Sequence, residues 1–355
     1  MKALVVEKNK IRANLETVKE RAGTAQVIAV LKANAYGLGL CEMAGLCREA
    51  GIRRFAVTEP EDALRLRDWG FGEEEILILR STASEEEIRT ILQAGATATV
   101  GSYDAALALN GLAESQGMMC DVHIKVDTGM GRYGFMPTEI DRILSVYRYL
   151  TNLNVTGTYT HYANAFRSVK KTQEQLDAFQ AVVEKIRSAG FDPGMLHASN
   201  SEAMFGCKMP NLDAVRIGSA LGGRVISRGD HGLQRTGKLR SCITEVRWLP
   251  KGHTIGADKP VVLKKPTRVA VLPVGYQNGF GVSWPRETGF WAMVRRWRKA
   301  RALTVRVGDQ RVRVLGGVGA TETVLNVTNM KCSAGDLAVF EIDPLFAKGF
   351  TTEYR

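Results

Sequence analysis

Eight short apolar runs, separated by segments of helical periodicity, constrain this chain more than any other feature. They are Val27–Leu31, Phe55–Thr58, Ile76–Leu79, Thr97–Val100, Val122–Val126, Val155–Thr160, Met195–Ala198 and Ala214–Arg216. Each has the length of a strand, and several lack the alternation of a half-exposed one, so both their faces are expected to be buried. Between them, apolar residues recur at helical spacing: Ile11, Leu15 and Val18 in the first segment, and Leu176, Phe179, Val183 and Ile186 in a later one, with Gly190 as its candidate C-cap. Eight alternating strand–helix units predict a (β/α)8 barrel, with an open parallel sheet as the rival.

After residue 236 the rhythm changes. Val261–Leu263, Arg268–Leu272, Thr304–Val307, Arg311–Leu315, Val324–Val327 and Leu337–Glu341 alternate without long helices between them and predict a smaller, mostly antiparallel β domain. The boundary is expected near 225–240, in the polar stretch Ser227–Gly237. That gives a barrel over 1–230 and a β domain over 231–355, with the opening strand 1–8 open to either. A length of 355 residues suits this division.

Composition narrows the class further. With 45% hydrophobic and 24% charged residues, 36 Gly and 10 Pro, the chain is no collagen, coiled coil or disordered protein. No apolar run reaches the ~18–20 residues of a membrane span, and the apolar stretch of the N-terminus is too short for a signal peptide. The six Cys are scattered, with no CxxC pair, so reduced thiols and a cytoplasmic location are expected. The net charge of +11 is spread along the chain and favours solubility or a small anionic ligand over nucleic acid.

The strongest local feature is Val27-Ile-Ala-Val-Leu31-Lys32-Ala-Asn-Ala-Tyr36-Gly-Leu-Gly39, which puts a lysine at the C-terminal end of an apolar strand. Barrel active sites are built at such ends. Apolar surroundings disfavour the ammonium form, and the neutral amine is the nucleophile that Schiff-base chemistry needs. The plain alternative is a strand-end lysine reaching solvent.

Lys32-Ala-Asn-Ala-Tyr36-Gly-x-Gly resembles the pyridoxal-phosphate lysine motif of alanine racemases, and other family blocks follow in order. They are Lys125-Val-Asp-Thr-Gly-Met-Gly-Arg132-Tyr-Gly, Tyr159-Thr-His161-Tyr-Ala-Asn164, His197-Ala-Ser-Asn200-Ser201, Asp213-Ala-Val-Arg216-Ile-Gly218 and Pro273-Val-Gly-Tyr276-Gln-Asn-Gly279. The resemblance covers roughly residues 1–345 and implies a barrel followed by a β domain, in a head-to-tail homodimer whose active sites are shared between subunits. It implies a PLP-dependent racemase that interconverts L- and D-amino acids through an external aldimine. Lys32 would hold the cofactor and act as the base on one face of Cα. Tyr36, Ser201, the backbone near Gly218 and Ser219, and Tyr354 would cradle the phosphate. Arg216 would face the pyridine nitrogen. Arg132 would contact the cofactor phenolate and the substrate carboxylate, braced by a carbamylated Lys125. His161 would stack near the ring, and Asn200 would lie by Arg216 or the ring edge. Tyr276 and the backbone amide of Ala320 would bind substrate. No metal is implied.

Two blocks depart from the family. Its second acid/base, a tyrosine from the partner subunit, stands 19 residues before the position of Tyr276, which here is Ala257. Asp258 and His253 are the nearby candidates for the second proton, and a solvated loop is their plain reading. A carboxylate needs strong desolvation to serve as that acid. The family's Arg-x-Cys-Met-Asp-Gln is here Gly317-Val-Gly-Ala320-Thr-Glu322. An insertion over 285–302 adds Arg295, Arg296, Arg298, Lys299 and Arg301 beside Trp291 and Trp297. It reads either as decoration of the β domain or as a surface for a membrane or an acidic partner. The rivals to an amino-acid racemase are therefore one-face chemistry on the same fold, such as decarboxylation, and a cofactor- or partner-binding protein with weak catalysis.

Overall fold

A computed structural model of the chain describes residues 2–163, 165, 167–207, 209–227, 229–256, 260–282 and 303–355. These form two compact units, Lys10–Arg235 and Met1–Asn9 with Thr236–Arg355. Strand β1 (Lys2–Val6) and the start of helix α1 (Lys8–Ala22) open the chain.

The larger unit is a parallel barrel. Its strands are β2 (Gln26–Val30), β3 (Arg54–Val57), β4 (Glu75–Ile78), β5 (Ala98–Val100), β6 (Cys120–Lys125), β7 (Leu153–Tyr159), β8 (Met195–Asn200) and β9 (Ala214–Ile217). They pair in the order β4-β3-β2-β9-β8-β7-β6-β5. A parallel bridge between Leu77 and Thr97 brings β4 against β5 and closes the ring. All eight expected runs are barrel strands, and most of their apolar residues are buried because each strand lies between the barrel interior and the outer helices.

Helices alternate with the strands: α2 (Lys32–Tyr36), α3 (Leu40–Glu49), α4 (Pro60–Asp68), α5 (Glu85–Gln93), α6 (Tyr103–Ser115), α7 (Ile140–Tyr149) and α8 (Val169–Ser188). Ile11, Leu15 and Val18 of α1 are each 0% exposed. Such side chains contribute about 1.5–3 kcal/mol apiece. Leu176, Phe179, Val183 and Ile186 of α8 are buried as their spacing predicts, and the helix ends at Ser188, with Ala189 as its C-cap and Gly190 beyond it in the left-handed region, at φ 85°.

The smaller unit is a nine-stranded sheet of order β11-β14-β17-β16-β15-β18-β10-β1-β19, with a two-stranded hairpin, β12 and β13. The strands are β10 (Lys238–Cys242), β11 (Glu245–Leu249), β12 (Thr254–Ile255), β13 (Val261–Val262), β14 (Thr267–Leu272), β15 (Thr304–Val307), β16 (Gln310–Val318), β17 (Thr323–Asn326), β18 (Leu337–Glu341) and β19 (Thr351–Tyr354). β1 pairs antiparallel with β10 and parallel with β19, so the opening strand belongs here. The six expected strands of this unit are present; β10, β11, β12 and β19 had no apolar run to announce them. The six cysteines are free thiols, and among the described residues no helix is long and apolar enough to cross a membrane.

Candidate functional site

Lys32 stands two residues past the end of β2, and the chain then does something that its composition hides. Ala33, Asn34, Ala35 and Tyr36 all have positive φ, from 51° to 56°. A left-handed turn of non-glycine residues costs on the order of 1–2 kcal/mol per residue. It is stabilised by Ala35 N donating to Leu31 O at 2.7 Å, Gly37 N to Ala33 O at 3.0 Å, and Leu40 N to Asn34 Oδ1 at 2.9 Å. Small Ala side chains and an Asn, which tolerates this region, keep the cost down. The turn brings Lys32 and Tyr36 to one cavity at the barrel mouth.

That cavity has a volume of about 390 Å³. Of the residues singled out in the sequence, Lys32, Tyr36, Lys125, Arg132, His161, Asn200, Ser201, Arg216, Gly218 and Ser219 all line it. Tyr159, Tyr133, Glu59, Arg80 and Glu202 also line it and were given no role from sequence. Their only signal was position, at strand ends or inside the quoted blocks.

At one side, Gly218 N donates to Ser201 Oγ at 3.2 Å, and Ala220 N lies 3.5 Å from the same oxygen. Gly218 has to be glycine: a Cβ there would sit 2.4 Å from the Tyr36 hydroxyl. A hydroxyl pair beside backbone amides thus occupies the space that a side chain would fill.

At the back, Arg216 is 3% exposed. Its Nη1 donates to His197 Nδ1 at 2.7 Å and His197 O at 3.0 Å, and its Nη2 donates to Thr160 O at 2.7 Å and Ala198 O at 3.1 Å. Among the described residues Nε takes no acceptor. Burial draws the Arg216 pKa down to about 10, which leaves it protonated at neutral pH.

Lys125 is 4% exposed, and its Nζ lies over the rings of Tyr133 and Tyr159 at 5.3 and 5.5 Å. The neighbouring Asp127 carboxylate accepts the backbone amides of Gly129, Met130, Gly131 and Arg132 at 2.7–3.1 Å instead. Burial first, then Arg216 and Arg132, bring the Lys125 pKa down to about 8. Lys32 is likewise lowered, by burial first and then by Arg132 and Arg216. His161 is held well below its usual range by burial and the same cations.

Asn200 reaches the cavity because the β8–β9 register shifts between His197 and Asn200. Such an irregularity re-aims a side chain that strict alternation would place elsewhere. Its Oδ1 accepts from Ala203 N at 2.9 Å, and its Nδ2 approaches Tyr162 O at 3.3 Å and His161 Nε2 at 3.4 Å.

Tyr276, Ala320 and Tyr354 belong to the smaller unit. Tyr276 N donates to Gly319 O at 2.9 Å and Gln277 N to Ala320 O at 3.1 Å, which brings the two substrate candidates together. Tyr354 lies on β19, opposite Val6. His253 is exposed, with its carbonyl accepting from Leu263 N at 2.9 Å. Asn164, Ala257, Asp258 and the insertion 285–302 lie outside the described residues.

A family model described as "Alanine racemase, N-terminal domain" matches residues 6–224, and one described as "Alanine racemase, C-terminal domain" matches residues 236–344. The chain is 32% identical over 341 residues to an alanine racemase of Methanococcus maripaludis, covering 94% of this chain and 86% of that protein. It is 33% identical over 275 residues to one of Carboxydothermus hydrogenoformans, covering 76% and 74%. Among solved structures, the alanine racemase of Clostridium difficile 630 superposes with a TM-score of 0.83 at 26% identity, covering 99% of this chain and 88% of that one. The alanine racemase of Bartonella henselae with covalently bound pyridoxal phosphate shares the fold, with a TM-score of 0.83 at 22% identity and coverage of 100% and 99%.

Proposed function

Because the chain belongs to the alanine racemase family, we propose that it is a pyridoxal-phosphate-dependent amino-acid racemase in which Lys32 holds the cofactor. The observation that carries this reading is the convergence of Lys32, Tyr36, Arg132, Ser201, Arg216 and Gly218 on one cavity of about 390 Å³. A cavity of that size is in the range of small-molecule sites. The Tyr36 and Ser201 hydroxyls, beside the backbone amides at Gly218, fit a phosphate, and the acceptor-free Arg216 Nε fits an unprotonated ring nitrogen.

When bound, the cofactor supplies an electron sink that makes the substrate Cα proton removable. The rest falls to the chain. Lys32, its ammonium form disfavoured, takes or returns the proton on one face of Cα. Tyr36 and Ser201, with the Gly218 and Ser219 backbone, hold the phosphate. Arg132 binds the substrate carboxylate. Arg216 keeps its proton, because a guanidinium does not give one up readily. A cofactor ring nitrogen facing Arg216 would stay largely unprotonated, which would favour return of the proton to Cα over transamination. His161 and Asn200 would lie beside the cofactor ring, and Tyr354 is assigned to the phosphate. Tyr276 and Ala320 are assigned to the substrate of a neighbouring subunit in a homodimer. With Ala257 where the family has its tyrosine, the second proton is assigned to Asp258 or His253.

Lys125 is assigned a carbamate. Its neutral amine adds to carbon dioxide, forming an N–C bond and releasing a proton. A buried lysine that forms no ion pair among the described residues, with the Asp127 carboxylate turned to backbone amides and Arg132 and Arg216 nearby, supports this assignment. The free cysteines fit a cytoplasmic enzyme.

The test is deuterium uptake at Cα from heavy water. Both antipodes of the substrate amino acid are expected to exchange in the wild-type protein. Uptake by neither, across a panel that includes alanine, would remove the racemase reading. Uptake by one antipode alone would mean one-face chemistry in place of racemisation. Gly218→Ala is expected to weaken cofactor binding about tenfold, roughly 1.4 kcal/mol, with the fold intact. Absorbance titration with pyridoxal phosphate reads the loss, and unchanged affinity would contradict the phosphate assignment.

A further inference from the structure

A hydrogen-bonded row inside the barrel takes no part in the reading above. His197 Nδ1 lies 2.7 Å from Arg216 Nη1, and His197 Nε2 lies 2.9 Å from His123 Nδ1. His197 and His123 are 0% and 1% exposed. Beyond them, His123 Nε2 faces Glu75 Oε1 at 3.8 Å, Glu75 is ion-paired with Arg54, and Arg54 Nε donates to Gln26 Oε1 at 2.6 Å. Gln26, Arg54 and Glu75 are the first residues of β2, β3 and β4. Lys32 lies just past Leu31 at the other end of β2, so the row crosses the barrel from its mouth to its opposite end.

Proton bookkeeping along the row leaves one solution. A guanidinium has donors only, so His197 Nδ1 accepts and the proton of that ring sits on Nε2. That N–H points at His123 Nδ1, which therefore also accepts, and the His123 proton sits on Nε2, directed at Glu75. A second proton on either ring would set two donors against each other. Burial, followed by nearby arginines, keeps both rings neutral: His123 is drawn down to about 3 and His197 well below its usual range.

The barrel makes room for this row. His123 pairs with Gly157 across a register shift between β6 and β7, and a Cβ on Gly157 would stand 2.6 Å from His123 Nε2. Tyr159 stacks on His197 with centroids 4.7 Å apart and planes at 9°. A polar row in a layer that barrels usually fill with branched apolar side chains needs a reason beyond packing.

We propose that His123 and His197 are positioning residues for Arg216, joined to it in a one-way chain of donors that fixes both rings as Nε2–H tautomers and orients the guanidinium with Nε toward the cavity. Without His123, the buried His197 N–H has no acceptor. The ring then has to rotate or change tautomer to find one, and either move takes Nδ1 away from Arg216. The proposal rests on the assignment of Arg216 to the cofactor ring, while the tautomers can be read without it.

The chain has five histidines, few enough to assign singly in long-range proton–nitrogen NMR spectra of the whole protein. His123 and His197 are expected as neutral rings protonated on Nε2, with or without cofactor. An Nδ1–H tautomer or an imidazolium at either position overturns the chain of donors. In the holoenzyme, His123→Leu is expected to lower kcat about 10- to 100-fold with little change in KM, and to shift the His197 nitrogen resonances. His123→Asn, which offers an acceptor oxygen, is expected to recover much of both. A His123→Leu protein with wild-type kcat and unmoved His197 resonances also overturns the proposal. If His123→Leu does not fold, the wild-type spectrum and the Asn variant decide. A chain that binds no cofactor, with the Nε2–H tautomers in place, refutes the function and leaves the row intact.

Discussion

Replacing Lys32 with alanine is expected to remove racemisation entirely within assay limits while leaving the fold untouched. Two losses combine. The amine that holds the cofactor is gone, and so is the base on one face of Cα, whose loss alone typically costs about 10²–10⁴-fold. A drop in kcat/KM beyond about 10⁴-fold is therefore expected, with loss of the visible absorbance band of the bound cofactor. Arginine should not rescue it, because a guanidinium stays protonated and cannot serve as nucleophile or base.

Stability should move the other way. The Lys32 pKa in the folded chain lies below the ordinary lysine value, through burial first and then Arg132 and Arg216. Between the folded and unfolded pKa values the unfolded chain binds more protons, so this group makes stability rise with pH across that window. Below the window, protonated Lys32 destabilises the fold. Cofactor-free Lys32→Ala is thus expected to melt no lower than the cofactor-free wild type at neutral pH, and the gap should close as pH rises past the window. Melting curves across pH test this. A variant that melts well below the wild type would mean that the left-handed turn depends on the amine.

The barrel was legible because its eight strands lie inside two layers of apolar contact, so each is written as an apolar run. The strands that escaped are those whose residues alternate with water or end the sheet. β10 (KLRSC), β11 (EVRWL) and β19 (TTEY) carry charges on one face, and β11 and β19 are the outer strands of the nine-stranded sheet. Ala33-Asn34-Ala35-Tyr36 reads as ordinary helix by propensity; its left-handed φ values, held by local hydrogen bonds at Leu31, Gly37 and Leu40, leave no mark in the residue types. Period-two spacing puts His123 and Lys125 on one face of β6, but it cannot say that the interior they face is polar. That follows from Arg216, Tyr159 and His197 arriving from three other strands. The candidate site was legible through blocks of sequence. Glu59 and Arg80 lie outside any block and emerged only from the geometry.

Asp127→Ala is expected to have the second-largest effect, on stability and activity together. The Asp127 carboxylate is 8% exposed and accepts four successive backbone amides: Gly129 and Met130 on one oxygen, Gly131 and Arg132 on the other. The loop can fold onto one carboxylate because Gly129, Gly131 and Gly134 take φ of 132°, 69° and 126°, and a Cβ at Gly134 would lie 2.6 Å from Asp127 N. Removing the carboxylate releases all four donors. Hydrogen bonds to a charged group contribute about 1.5–3 kcal/mol each when buried. Gly129, Gly131 and Arg132 are exposed and regain water, so the total loss is expected at roughly 2–3 kcal/mol, or about 5–10 °C in melting temperature. Arg132 loses its fixed position with the loop, and a displacement of about 1 Å can cost about 100-fold in rate. The pH dependence gives the sharper check. Burial pushes the Asp127 pKa up, but the four amides outweigh it and hold the carboxyl below its usual value. A carboxylate with a depressed folded pKa contributes stability that is fully present above the unfolded pKa, about 3.9, and is lost as pH falls through the folded one. The difference in melting temperature between wild type and Asp127→Ala should hold steady through neutral pH and shrink in acid. A difference that persists unchanged to the acid limit would show that the loop is held by packing and not by the charge of Asp127.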